Sequence, residues 1–592
     1  MSRSSHNSSF PGLSLLRVVT IMVLALWLAL PGVKIARASG VVGDGTPASC
    51  TEAALTAALA GGGTITFNCG GPKTILVTSE KSITQDTVIQ GGGVITITGG
   101  LTTRLFRVFA PASLTLNDIT LDSAYSPTTD GGAILSTGTL SLNNVTIQHS
   151  QAGNSVCGGA IRTDGVAIIA NSRFQDNTAG FGGGAICTAG FGAPTLQISN
   201  SSFENNRATR TDIDTGFGGA IYLNTSASLT VVGSSFINNS AQYGGALSVM
   251  QGATATLRTQ DFAHATYFLV NAAADTGGAI YSRGALRIYG VQFNGNSVPQ
   301  NTVAVGYGGG IASLGTLTLY DSFLSVNRGR FGGGLFVGGS VTNAQADVQR
   351  TTFSQNEAGS LGGGLYANTE TTVITVTNSI FRRNTAVTGG ALARFNAQLH
   401  LSNSSITQNS ATSGGGLYVG AGPSPTAGGY VQVRSATFSG NTASSNQGGG
   451  IFNAGLLELY FTTIVSNTNG VYSIGGGNTR FRSSVLHNPG ALNCDGDGTA
   501  QISNDAANHV TDNSCGPAFP AAGDPRLGPL QNDGPNTTSY HLPLAGSPLI
   551  NAGYSNCPPR DQRGALRPDA CDIGAVEYGG LIARAFMPMV LR

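Results

Sequence analysis

Between residues 131 and 451 the tetrad Gly-Gly-[Ala/Gly]-[Ile/Leu] occurs twelve times. Its third position falls at Ala133, Ala160, Ala185, Ala220, Ala246, Ala279, Gly310, Gly334, Gly364, Ala391, Gly416 and Gly450, at intervals of 24 to 35 residues. A second motif, Phe-x-x-Asn, shares the period at Phe174/Asn177, Phe203/Asn206, Phe236/Asn239, Phe293/Asn296, Phe353/Asn356, Phe381/Asn384 and Phe438/Asn441. Ile takes the aromatic place at Ile406/Asn409 and Ile464/Asn467, and Leu324/Asn327 fits once Phe323 is read as displaced. Apolar residues also stand seven and five positions before the aromatic, as at Leu196 and Ile198, Leu229 and Val231, Leu286 and Ile288. A period of two means a strand with one buried face.

A unit of about 29 residues with two or three short strands cannot bury its apolar face alone; stacking units makes a continuous core. The expected fold is therefore all-β: a right-handed parallel β-helix of about 12 or more coils. Phe is expected to stack on Phe inside and Asn on Asn at a corner, with the paired glycines at a tight turn. A β-propeller needs about 40–45 residues per blade, which this period does not supply. A flexible linker would lack strand alternation in register with an aromatic.

Composition narrows the classes further. Charged residues make up only 10% of the 592, hydrophobic residues 40%, and the net charge is +1. Disordered chains avoid burial through high charge and low hydrophobicity. A nucleic-acid partner is not expected, because there is no basic excess to displace phosphate counterions.

Arg3 and Arg17 precede an apolar run from Val18 to Leu30, followed by Ala36-Arg37-Ala38. This is the pattern of a secretory signal peptide over 1–38, cut after Ala38; the only Trp, Trp27, lies in it. No later run is long enough for a transmembrane helix. All eight cysteines follow this segment, which suits disulfides in an exported chain. Neighbour pairing gives Cys50–Cys69, Cys494–Cys515 and Cys557–Cys571. Cys157 lies three before Ala160 and Cys187 two after Ala185, an offset of five along the coil. That bridge would require a bend between them.

The chain divides into the signal peptide, an N-terminal cap with first coils over 39–100, repeats over 101–488, a C-terminal region over 489–579, and a short apolar tail over 580–592. In the cap, Thr51 is placed to N-cap a short Ala-rich helix ending at Gly61. A solenoid's open first coil is a sheet edge that needs such a cover.

The Gly-Gly-Ala-Ile and Phe-x-x-Asn repeats over roughly 130–470 resemble those of the chlamydial polymorphic outer membrane protein family. That resemblance implies a surface-exposed β-helix passenger used in adhesion. Residues 490–592 show no series of alternating segments for the membrane β-barrel in which that family ends. Instead, Asp524-Pro-Arg-Leu-Gly-Pro, Ser547-Pro-Leu-Ile-Asn-Ala-Gly553, Asp561-Gln-Arg-Gly564, Arg567-Pro568 and Cys571-Asp-Ile-Gly-Ala-Val-Glu-Tyr578 resemble the choice-of-anchor Q module of bacterial surface proteins. The resemblance implies a region preceding a surface anchor.

The sequence names no catalytic residue, no metal-ligand set and no cofactor loop. Three acidic spots stand out: Asp212 with Asp214, Asp261 with His264 beside Phe262-Ala-His-Ala265, and Asp495-Gly-Asp497. They read more simply as, in order, a solvated loop, a degenerate coil marked by drift or a bulge, and a turn beside Cys494. The expectation is an exported cell-surface, cell-envelope or secreted β-helix, non-enzymatic, acting in adhesion, glycan binding or envelope structure. Its partners would be polysaccharide or another surface protein. The alternative is a polysaccharide lyase or glycoside hydrolase with its site on the β-helix face.

Overall fold

The computed structural model describes residues 39–580, apart from 189–191, 213–214, 301–304, 340–343, 422–428, 535 and 569. The signal segment and the tail from Leu581 lie outside the described residues. The chain is a parallel β-solenoid. One wall is a 16-stranded sheet, one strand per coil; a second wall is a 32-stranded sheet, and shorter strands form 6- and 5-stranded sheets on the remaining side. A typical coil runs Ile186–Thr188, Thr195–Ser199, Ser202–Glu204 and Arg207–Ala208 before Ile221 starts the next. Each strand pairs in parallel with its counterpart one coil on, as Leu196 with Leu229 and Phe203 with Phe236. Helix α1 (Glu52–Leu59) covers the N-terminal edge; the Thr51 side chain accepts from the Ala54 amide.

Three ladders run inside the solenoid. Five phenylalanine rings, from Phe174 through Phe203, Phe236 and Phe268 to Phe293, stack with centroids 4.5 to 5.0 Å apart. Leu324 takes the next place, paired with Phe293. Beside them runs the asparagine ladder. Asn206 Nδ2 donates to Asn239 Oδ1 (3.0 Å) and to the Phe174 carbonyl (3.0 Å). Its Oδ1 accepts from the amide and the side chain of Asn177. Every donor and acceptor of the amide is thereby used without water, which is what lets Asn be fully buried. The third ladder is of hydroxyls: Ser172 Oγ accepts from the Val145 amide and donates to the Ala170 carbonyl, and Ser201 and Ser234 repeat the arrangement.

The glycine pair has two distinct jobs. Gly218 has φ of +59°, a left-handed turn that only Gly adopts cheaply. Gly219 lies against the next coil, where a Cβ would stand 2.1 Å from the Gly245 carbonyl oxygen.

On the outside of this corner lies an apolar stripe that the sequence reading missed. Residues flanking the glycine pair, such as Phe217 before it and Tyr222 after it, stack across the turn at 5.5 Å. Neighbouring coils continue the stripe with Tyr281, Phe336 and Tyr366, all almost fully buried. The Cys157–Cys187 disulfide heads it, with Cα atoms 5.8 Å apart. Cys157 pairs with Gly182, and Cys187 with Tyr222. The five-residue offset is thus the spacing between the two flanks of the glycine corner, the same that separates Phe217 from Tyr222. The bend the sequence asked for is the corner itself. The other three disulfides join Cys50–Cys69, Cys494–Cys515 and Cys557–Cys571.

Past the last coil, Phe519 packs edge-on against Phe481 at the open end. The chain then returns along the outer wall. Thr437 Oγ1 donates to Gln562, the Ala575 amide to Thr463 Oγ1, and the Tyr554 amide to Ser483 Oγ. His541 Nδ1 sits 2.8 Å from the Gly528 carbonyl, so it carries the proton, and Nε2 accepts from Ser439 Oγ at 2.9 Å. Asp561, Arg567, Asp572 and Glu577 form a buried polar clasp. Arg567 pairs with Glu577 at 3.0 Å and donates to the Gly574 carbonyl, while Asp561 accepts from the Glu577 amide. The residues that carry the choice-of-anchor Q resemblance therefore hold this segment against the solenoid.

Burial raises the Glu577 carboxyl to about 6 from 4.5. The folded clasp then binds more protons than the unfolded chain between those values, so its stability falls as pH rises through that window. Burial lowers His541, which gives the opposite slope. The gap between wild type and Glu577→Gln isolates the first effect. In urea titrations read by proteolysis of the C-terminal segment, the variant is expected to gain on wild type from pH 4.5 to 6 and to gain nothing more above it.

Candidate functional site

In most coils the long outer-wall strand and the following Phe strand are joined by two residues, as Asn200-Ser201 joins Thr195–Ser199 to Ser202–Glu204. One coil uses eight: residues 259–266 separate Thr254–Arg258 from Tyr267–Leu269. The Phe262 coil is therefore not degenerate, as the sequence suggested. Phe268 takes the core position, paired with Phe236 and Phe293, and Asn271 takes the ladder position, donating to Asn296 Oδ1. The insertion separates Phe268-Leu-Val-Asn271 from the apolar pair that precedes the aromatic in other coils, which hides the motif in the sequence.

The insertion is pinned rather than loose. Thr259 Oγ1 donates to the Gly290 carbonyl and accepts from the Thr266 amide; Thr266 Oγ1 closes the neck on the Arg258 carbonyl. Asp261 Oδ1 accepts from the amides of Ala263 and His264 and lies 2.9 Å from His264 Nδ1. These bonds hold the Asp261 carboxyl below its usual range, the His264 amide contributing most. The result is a tight turn that lifts Phe262 clear of the surface, at 104% relative exposure.

Below the turn lies an open groove of about 610 Å³, whose lining includes Asn171, Asn200, Phe262 and His264. Its floor is one register column across five coils: Arg173, Ser202, Ser235, Tyr267 and Gln292. At roughly 4.8 Å per coil the column is about 19 Å long, the reach of a short oligosaccharide. Arg173, the only Arg or Lys in the lining, pairs with Glu204 at 2.5 Å, so the groove presents no unpaired Arg or Lys. What it offers is hydroxyls, amides and two aromatic rings. The sequence pointed to Asp261 and His264. It missed the floor, because column membership depends on register.

The other acidic spots are held locally, and the turn expected at Asp495 is corrected: Asp495 lies in the strand Cys494–Gly496, paired with Tyr472. Asp212 pairs with Arg210; Asp214 lies outside the described residues. Asp497 accepts from Thr499 and the Gly475 amide, and Asp495 from the Gly496 amide and Asn469. Among the described residues, no group of three His, Cys, Asp or Glu side chains is placed to hold a metal ion.

Residues 200–224 match the Chlamydia polymorphic membrane protein repeat; this segment is one coil, from the Phe203 strand to the stripe residue Tyr222. No curated protein matches the chain. Among solved structures, the chain is similar to a mannuronic acid specific polysaccharide family 6 lyase from human gut microbiota. The TM-score is 0.30 and the identity 10%, over 68% of this chain and 80% of that one. It is also similar to PfbA, a surface adhesin of Streptococcus pneumoniae (TM-score 0.27, 12% identity, 80% and 93% covered). A third is the periplasmic alginate epimerase AlgG (0.27, 9%, 73% and 77%). With TM-scores this low, none of them bears on activity.

Proposed function

We propose that this chain is an exported, non-enzymatic surface β-solenoid that binds glycan, with the groove beside the 259–266 insertion as its contact site. The observation that carries the reading is Phe262, held fully exposed by a pinned turn above a floor of Arg, Ser, Tyr and Gln side chains. A single exposed aromatic is ordinary on a protein surface; Phe262 stands apart because a pinned turn holds it over the polar floor, with Tyr267 in the same groove. A sugar ring supplies an apolar face for stacking and hydroxyls for the polar floor, the mixture that ligand grooves use. The pinned turn limits the entropy lost on binding. Export is supported by the signal pattern before Ser39 and by four disulfides. The choice-of-anchor Q resemblance supports retention at the surface.

With Arg173 already paired to Glu204, no free Arg or Lys is left to attract an acidic sugar, which favours neutral glycans. The test is a panel of neutral and acidic polysaccharides against wild type and Phe262→Ala. The variant is expected to weaken binding about tenfold, equivalent to about 1.4 kcal/mol, without changing thermal stability. Unchanged binding by the variant would remove the groove from the account. Released reducing or unsaturated ends would move it to the polysaccharide lyase or hydrolase reading.

A further inference from the structure

A second cleft lies between the solenoid's outer wall and the returning C-terminal segment. Three adjacent strands supply Arg434, Tyr460 and Arg482 at one register position. The segment adds Asn556, Pro558 and Pro559, and the cleft encloses about 310 Å³. The guanidinium carbons of Arg434 and Arg482 lie 5.1 and 5.4 Å from the centroid of the same Tyr460 ring, and Arg482 lies 5.2 Å from Tyr554. Stacking fixes the plane of a guanidinium and leaves its N–H edge free to donate.

Those edges are underused. Arg434 Nε donates to Gln432, and Arg434 has no carboxylate partner among the described residues. Arg482 Nε is buried with no hydrogen-bond partner among them. Its nearest carboxylate, Asp505, is 3.7 Å from Nη2, beyond hydrogen-bond range. Arg434 is exposed and the Arg482 side chain keeps 34% exposure, so both guanidinium groups present N–H donors to an anion in the cleft. Two planar forks beside aromatic and proline faces match a carboxylate carried on a ring.

We infer that this cleft binds the carboxylate of a hexuronic acid residue, at a site separate from the groove under Phe262. The probe is galacturonic acid, with galactose as the neutral control, titrated into the full mature chain and followed by ligand-observed NMR. Galacturonic acid is expected to bind at least tenfold more tightly than galactose, and its affinity to fall with added salt. Arg434→Gln is expected to weaken it about tenfold with the fold intact. Arg482→Lys keeps the charge, loses the fork and is expected to weaken it similarly. Phe262→Ala is expected to leave it unchanged, so failure of the groove reading and failure of this one are distinguishable. Equal binding of the two sugars, no binding of either, or unchanged affinity in both arginine variants would overturn the inference. Binding of acetate as tight as that of galacturonic acid would also overturn it, since the ring would then play no part.

Discussion

Replacing Asn296 by Ala is expected to cost about 3 kcal/mol, although the change removes only a few atoms. Asn296 is fully buried. Its Oδ1 accepts from the amide and the side chain of Asn271 at 3.0 Å each, and its Nδ2 donates to the Phe268 carbonyl and to Asn327 Oδ1. Alanine leaves an orphaned backbone N–H and an underused amide in a site water does not reach. Each such group costs about 1–3 kcal/mol. Aspartate is nearly isosteric and is expected to do worse at neutral pH. Its second oxygen would face two acceptors, and its charge would be buried without a partner. The Asp variant is therefore expected to recover partly as pH falls and the carboxyl protonates. Asn294, exposed two residues earlier, is the control; its replacement by Ala is expected to stay within about 0.5 kcal/mol. Hydrogen exchange of the Asn271 amide, together with urea midpoints, reads all three. Similar midpoints for Asn296→Ala and Asn294→Ala would mean that the ladder is not what holds the coils in register.

Arg567→Ala is expected to cost about 4 kcal/mol, confined to the C-terminal segment. The Arg567 side chain is 0% exposed and that of Glu577 4%. Removing one member of a buried pair leaves the other charge uncompensated, which costs about 3–5 kcal/mol. The stacking of Arg567 on Phe461, at 4.8 Å, is lost as well. Phe461 has φ of +51°, a conformation that strains a bulky residue, so its covering partner matters. Because each coil of a solenoid contacts only its neighbours, the coils before Thr437 are expected to stay folded. Proteolysis is expected to cut within 524–580 in the variant and to leave 39–500 protected. Arg567→Met combined with Glu577→Gln removes both charges and is expected to restore most of the protection. Uniform loss of protection along the chain would show that the segment is not a separate clasp.

The coil, its strands and two of its three ladders could be read from the sequence because they depend on local spacing. Asn recurs three residues after the Phe, and the apolar pair seven and five residues before it, whatever the distance to the glycine pair; stacking needs only those local offsets. The displaced Phe323 was placed correctly for the same reason. Features that depend on register between coils were harder. The hydroxyl ladder of Ser172, Ser201 and Ser234 forms only when the coils stack, and serine between strands carries no signal that separates a ladder from a turn. The aromatic stripe was overlooked although it has a sequence signal: an aromatic immediately before the glycine pair, as at Phe217, or three residues after it, as at Tyr222. Outward-facing aromatics read as surface residues until the corner folds one flank over the other. Arg394 shows the converse. It occupies an inward position, fully buried, and its Nε and Nη1 donate to the carbonyls of Ala397 and Gly420. Burial pushes it down to about 10, and no spacing rule marks it. Of the groove, only the loop that carries Phe262 stood out in the sequence.

The measurement that bears most directly on the functional reading records binding and product formation in one mixture. The mature chain is incubated with neutral and acidic polysaccharides, with and without Ca²⁺. Retention on the polysaccharide is scored alongside new reducing and unsaturated ends. The account predicts retention on a neutral glycan, lost in Phe262→Ala, with no new ends under either condition. New ends that depend on the intact Asp261–His264 turn would contradict it.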